Sequence, residues 1–165
     1  MKSLIRKKCL CCNNKDLKEI IDLGSHSFAD RFIPKNKLKV KDPQYPLILD
    51  LCDKCKYVQS RHITNPKNRY VSIDYSYTSS NSNYSKNHWI DFANSLEKKT
   101  KLQNKKITEI SANDGLLSYQ LKKKGAQVLG VHASEFMVKL SKKKINAIQS
   151  IFTLKESRKI KKLFG

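Results

Sequence analysis

The chain is poor in the residues that announce most function classes. In 165 residues it has one Trp, two Met, four Pro and five Gly. Acidic residues are also few, 14 against 34 Lys and Arg, so the formal charge is +20. No stretch approaches the ~20 apolar residues that a membrane-spanning helix needs. The start, MKSLIRKKC, is basic but no apolar core of a secretory signal follows it. These absences exclude a membrane-spanning helix and lead us to expect a cytoplasmic protein with no membrane partner. Arg is scarce, five against 29 Lys. Bidentate recognition of guanine and phosphate is Arg chemistry, so the charge fits sequence-specific nucleic-acid reading poorly. Lys, Asn and Ile make up a third of the chain, the bias of an AT-rich coding sequence. The runs Lys105-Lys106, Lys122 to Lys124, Lys142 to Lys144 and Lys161-Lys162 read first as solvated helix ends. The alternative is a face for a polyanion.

What the chain does have is five cysteines, all before residue 60. A reducing compartment favours metal ligation over disulfides. Cys9/Cys12 and Cys52/Cys55 form two C-x-x-C pairs. Each pair can form a tight knuckle that aims two thiolates at one point, and two knuckles supply the tetrahedral sulfur set of structural Zn²⁺. Lys54 and Lys56 are placed to offset the charge of such a centre. Cys11 is a spare thiol that could compete with Cys12. A closed four-sulfur site has no open position for water, so its role is folding rather than catalysis.

Composition and period change along the chain. Residues 1–60 hold short β-like runs at 18–23, 45–51 and 57–59 and read as a small zinc-ribbon-like β domain. Residues 61–85 are polar and Tyr/Ser/Asn-rich and read as a connector. From 86 to 165 the pattern is helical, then alternating. Trp89, Phe92, Ala93 and Leu96 share one helix face, with Trp89 expected in the core. A β-run at 106–111 leads to a helix at 115–124 stopped by Gly125. A strand at 127–131 and a helix at 134–144 capped by Ser134 follow, then a β-run near 148–152 and a Lys-rich helix near 154–163. Strand and helix alternating at this spacing predict an α/β fold with a parallel sheet. About 80 residues are few for a doubly wound domain. The expectation is a fragment, a truncated reading frame, or half a domain completed by a partner chain.

The segment Glu109-Ile110-Ser111-Ala112-Asn113-Asp114-Gly115 ends a β-run and opens a helix. On local sequence alone it reads as an ordinary βα turn. It is also where a nucleotide cofactor binds such folds, because backbone N–H groups and a helix N-terminus face the crevice. It has one Gly where a dinucleotide fingerprint has three.

Taken in order, the motifs resemble the sugar C-methyltransferases, enzymes that methylate nucleotide-linked keto-deoxysugars with S-adenosylmethionine. Cys9-x-x-Cys12, Ile21-Asp22-Leu23-Gly24, Phe28-Ala29-Asp30-Arg31-Phe32, Tyr45-Pro46-Leu47 and Cys52-x-x-Cys55 with Val58-Gln59 resemble the zinc-binding N-terminal domain of that family. Tyr75 to Ser82 and His88 resemble its Tyr/Ser-rich segment. Glu109 to Gly115 resembles its S-adenosylmethionine loop, and Leu129 to Ser134 the end of its second strand. The resemblance implies a Rossmann-like class I methyltransferase domain over 86–165, present as its first βαβα units. It implies cofactor contacts from Glu109, Ser111, Asn113, Asp114, Gly115 and His132. Tyr75, Tyr77 and His88 become candidates for the substrate or cofactor pocket, with packed connector aromatics and a surface or helix-capping histidine as the alternatives. The catalytic acid/base groups are expected downstream of this chain. In such enzymes a base removes the proton beside a ketone, and the carbon attacks the cofactor methyl group.

Two positions depart from the family pattern. Ser111 stands where the loop has glycine, and His132 where an acid holds the ribose hydroxyls. The expectation is weak or no binding of S-adenosylmethionine and no turnover by this chain alone. Two other readings stand beside it. One is a zinc-ribbon nucleic-acid-binding module, a poorer fit to the Lys-to-Arg ratio. The other is a non-enzymatic remnant whose zinc domain still binds a sugar nucleotide or a partner chain.

Overall fold

The computed structural model of the chain describes residues 4–29, 32–70 and 77–165. The backbone divides into two units, Met1–Arg69 and Tyr70–Gly165.

The first unit is built from β1 (Leu4–Ile5), β2 (Leu17–His26), β3 (Tyr45–Cys52), β4 (Val58–Ser60), β5 (His62–Ile63) and the start of α1 (Pro66–Tyr70). Strands β2, β3 and β4 form an antiparallel sheet in that order, and β1 pairs with β5. The three expected β-runs fall in β2, β3 and β4. The stretch read as a connector carries β5, α1 and the start of the next helix instead. A two-residue strand is too short to show alternation, so β5 is invisible to periodicity. Tertiary contacts hold this stretch: the Arg69 guanidinium lies 5.4 Å over the Phe28 ring, which stacks on Tyr45 at 4.5 Å. The sheet buries polar groups as well as apolar ones. Asp50 is 2% exposed and takes a two-pronged bond from Arg61, whose Nε lies 3.0 and 3.1 Å from the two carboxylate oxygens. Arg61 also reaches Glu19 at 2.7 Å. Asp50, and after it Glu19, hold the Arg61 guanidinium firmly protonated.

The second unit runs α2 (Asn83–Lys99), β6 (Lys106–Ile110), α3 (Leu116–Lys123), β7 (Gln127–His132), α4 (Glu135–Ser141), β8 (Asn146–Gln149) and α5 (Leu154–Phe164). Strands β6, β7 and β8 are parallel and ordered as numbered, with Ile110 opposite Val131 and His132 opposite Gln149. This is the Rossmann-like α/β pattern that the alternation predicted. Apolar side chains alternate across β7. Val128 packs with Ala93, Leu102, Leu121 and Ile145 on one face, while Leu129 and Val131 pack with Ile160 on the other. Helices α2 and α3 therefore cover one face of the sheet and α5 the other. Gly130 sits where the sheet meets its cover most closely: a Cβ there would lie 2.9 Å from Ile145 Cδ1 and 3.0 Å from Ala112 Cβ.

Three details differ from expectation. On α2, Ala93 is fully buried and Leu96 packs on the core, but Trp89 is half-buried and Phe92 is 43% exposed. The apolar stripe is wider than the core it covers. Strand β8 occupies 146–149 rather than 148–152, because Ile145 and Ala147 are the residues drawn inside. Helix α4 ends at Ser141, before the lysine run, although Ser134 caps it as expected by accepting the Met137 N–H. Among the described residues, no helix is long and apolar enough to cross a membrane.

Candidate metal centre and cofactor turn

The first unit folds the two C-x-x-C pairs into the same turn twice. Asn13 N–H donates to Cys9 C=O at 3.0 Å and Lys56 N–H to Cys52 C=O at 2.9 Å. Cys9 N–H donates to Asn14 C=O at 2.8 Å and Cys52 N–H to Tyr57 C=O at 2.9 Å. The residue after each second cysteine is left-handed, with φ of 60° at Asn13 and 59° at Lys56. The four sulfurs of Cys9, Cys12, Cys52 and Cys55 lie within 4.8 Å of one another, with Cys9–Cys55 at 3.5 Å and Cys12–Cys52 at 3.6 Å. A tetrahedron with ~2.3 Å zinc–sulfur bonds has edges of about 3.8 Å, so the sulfur cage fits that ion.

The electrostatics agree with the geometry. The Cys55 backbone N–H, with smaller contributions from Cys12 and Lys54, draws the Cys52 thiol down to about 6. The Tyr57 N–H favours the Cys55 thiolate, but desolvation and the three neighbouring sulfurs outweigh it and push that thiol up to about 12. Four thiolates this close repel one another, and a dication lets all four ionise together. Cys11 stays outside the cage: it is exposed, and its N–H donates to Cys9 Sγ at 3.4 Å. The Lys56 ammonium, beside the second knuckle, pairs with Asp53 at 3.0 Å. Gln59 was given no such role by the sequence. It is 4% exposed, accepts the Leu10 N–H at 2.9 Å and donates to Lys8 C=O at 3.1 Å. One amide thus clamps the backbone on both sides of Cys9. A buried glutamine in a short strand just after the second knuckle was the available signal.

In the second unit the chain between β6 and α3 is unusually bent. Ser111, Asn113 and Gly115 have φ of 62°, 50° and 77°. Only glycine adopts this region without cost. At Gly115 a Cβ would also lie 2.9 Å from Ser141 Cβ. Glu109 accepts the Ser118 Oγ–H at 2.6 Å and the Ser118 N–H at 3.1 Å, an acid placed at a helix N-terminus. Burial pushes the Glu109 carboxyl above the usual carboxylate range, against the two Ser118 bonds. Asn113 and Asp114 are buried. Asn113 Oδ1 accepts the Ser79 N–H at 2.9 Å, and its Nδ2 donates to Tyr77 C=O at 3.0 Å. Asp114 Oδ2 takes the Ser80 hydroxyl and lies 3.5 Å from Lys144 Nζ, while Asp114 Oδ1 is buried with no hydrogen-bond partner. These two side chains strap residues 77–80 onto the turn. Ser111 is exposed at the turn's rim.

His132 ends β7, one register step beyond the Ile110–Val131 pair, and so lies level with Ser111. It is 8% exposed. Burial lowers its pKa, and Nδ1 accepts the Ser134 N–H at 3.0 Å, which places the proton of the neutral ring on Nε2. The fold therefore gathers Glu109, Ser111, Asn113, Asp114, Gly115 and His132 at one end of the sheet. Tyr77 joins them through its carbonyl and is itself 47% exposed. Tyr75 lies outside the described residues. His88 is exposed in the second turn of α2, edge-on to Trp89 at 5.0 Å. It does not cap that helix, because Ser82 does, accepting the Ser85 N–H at 3.1 Å.

One comparison with known proteins spans the first unit. A family model, Methyltransf_13, described as a zinc binding domain, matches residues 9–70, from the first ligand cysteine past the second knuckle. The first unit therefore contains a methyltransferase-related zinc-binding domain. A solved structure described as an RNA methyltransferase from Pyrococcus horikoshii is 16% identical with a TM-score of 0.32, over 53% of this chain and 51% of that one. The chain thus spans about half the length of that protein. None of the curated proteins matches the chain.

Proposed function

We propose that the chain is the N-terminal portion of an S-adenosylmethionine-dependent C-methyltransferase acting on a nucleotide-linked keto-deoxysugar. Zinc serves the fold of the first unit, and the cofactor belongs at the β6–α3 turn. The observation that supports this most is the pairing of a methyltransferase-related zinc domain with a parallel βαβ unit that carries a bent, acid-lined first turn. In open α/β sheets, ligands sit beyond the carboxyl ends of the strands, where the covering helices change face. The β6–α3 turn lies at the carboxyl end of β6. When bound, S-adenosylmethionine supplies the transferred methyl group. The chain's own residues shape its berth. Glu109 anchors the start of α3, Asn113 and Asp114 hold the wall formed by 77–80, and Ser111 and His132 meet the ligand at the rim.

The two departures weaken that berth. A neutral imidazole whose Nδ1 is already engaged cannot accept from two ribose hydroxyls as a carboxylate does. Losing such a bond costs about 1–3 kcal/mol, roughly ten- to a hundredfold in affinity. Calorimetric titration of the whole zinc-loaded chain with S-adenosylmethionine tests the reading. Weak binding is expected, tightened ten- to a hundredfold by Ser111→Gly with His132→Glu. A double variant that keeps its zinc and its fold, yet binds no S-adenosylmethionine at millimolar concentration, rules the assignment out.

A further inference from the structure

Ten of the seventeen lysines of the second unit fall in three segments at one end. Residues 98–106, 122–127 and 161–165 contain ten Lys and no Asp or Glu. Backbone bonds bring these segments together, from Asn104 N–H to Gly125 C=O at 2.8 Å and from Gln127 N–H to Lys105 C=O at 2.9 Å. Lys106 Nζ donates to Gly165 C=O at 2.7 Å, which ties the end of α5 to the start of β6. At the opposite end the two acids are each paired with a lysine, Asp114 with Lys144 at 3.5 Å and Glu135 with Lys139 at 2.8 Å, so no comparable excess of charge gathers there. The βα alternation produces this polarity, because helix C-termini and strand N-termini fall at the same end.

We propose that this lysine end binds the phosphate backbone of a nucleic acid without reading its sequence. Complementing helix dipoles does not account for the charge. Three helix C-termini bring about −0.5 each, which one or two lysines would balance. The bordering acid, Glu97, is taken by Lys124. Two clefts indent the surface. One of about 450 Å³ is lined by Lys98, Lys99, Lys101 and Lys124, and one of about 290 Å³ opens beside Lys122 and Asn146. A row of regularly spaced phosphates can run along the lysines at the mouth of the larger cleft. Membrane-surface binding needs inserted apolar groups. Among the described residues of these segments, Leu163 at 81% exposure is the one large apolar side chain offered to solvent. These three segments hold no Arg to grip a base edge. Phe164, the aromatic there, packs under the sheet and gives bases no stacking platform. What remains is phosphate recognition by point charges.

The surface is separate from the cofactor turn, so the titration above neither supports nor removes it. The experiment is fluorescence anisotropy of the full zinc-loaded chain with a 20-base-pair DNA duplex and with a second duplex of scrambled sequence, across a salt series. Equal affinity for both duplexes is expected. Affinity should fall about 10³- to 10⁵-fold between about 50 and 200 mM salt if six to ten phosphates are engaged. Replacing Lys99, Lys101, Lys105 and Lys161 by Gln should reduce the slope of log affinity against log salt by about 3–4. The same neutralisation in the first unit, at Lys35, Lys37, Lys39 and Lys41, should leave the slope unchanged. Equal loss from both sets means that net charge and not this face binds, and overturns the proposal. So does absence of duplex binding at about 50 mM salt, or binding to phosphatidylserine-containing vesicles in place of the duplex.

Discussion

The two units solve the problem of stability with different materials. Among the described residues of the first, five are buried: Cys9, Tyr45, Asp50, Cys52 and Gln59. Two are metal ligands and two are polar. The second buries an apolar set on both sheet faces, including Leu121, Val128, Val131, Met137 and Ile160. A unit of this size with so little apolar burial does not hold itself together by the hydrophobic effect. The first unit leans instead on a metal cage, a glutamine clamp and the Asp50–Arg61–Glu19 cluster. The difference teaches where each unit fails: one by losing an ion or a polar partner, the other by losing packing.

Removing the metal should have the largest effect. Cys52→Ser, or chelation, is expected to abolish the single bound zinc and to strip amide protection from β2, β3 and β4, while β6, β7 and β8 stay protected. Structural zinc contributes about 10 kcal/mol or more in small sites, more than a unit this sparse can replace. Hydrogen exchange alongside metal analysis checks it; equal loss of protection in both units would erase the contrast. Leu121→Ala is the mirror experiment. It opens a cavity beneath α3 and should cost about 2–5 kcal/mol in the second unit, with zinc content still one per chain.

Smaller changes sharpen the contrast. Gln59→Leu preserves bulk but releases the backbone around Cys9. Zinc affinity, measured by competition with a chelator, should fall about 10- to 100-fold, the usual cost of losing an outer-shell partner. An unchanged affinity would reduce Gln59 to filler. Ser111→Gly is expected to act in the opposite direction. A serine at φ of 62° carries left-handed strain. Its relief should stabilise the second unit by about 1 kcal/mol in a thermal melt and leave the first untouched.

Much of this molecule was legible in its sequence, because much of it is local. Each C-x-x-C pair dictates its knuckle within five residues, so the ligand set could be read without a structure. The period change after residue 85, the Ser134 cap and the spacing of apolar residues likewise specify strands and helices from near neighbours. The tertiary structure decided whatever depends on contacts between distant segments. It chose the cross-pairing of Cys9 with Cys55 and Cys12 with Cys52. It brought Gln59 back to Cys9, and it turned Asn113 and Asp114 inward to hold residues 77–80. It also brought ten lysines of the second unit to one end, since the parallel register of β6 and β7 aligns loops that lie far apart along the chain. Such contacts follow from how sheets pair and pack, and no window of neighbouring residues contains that information.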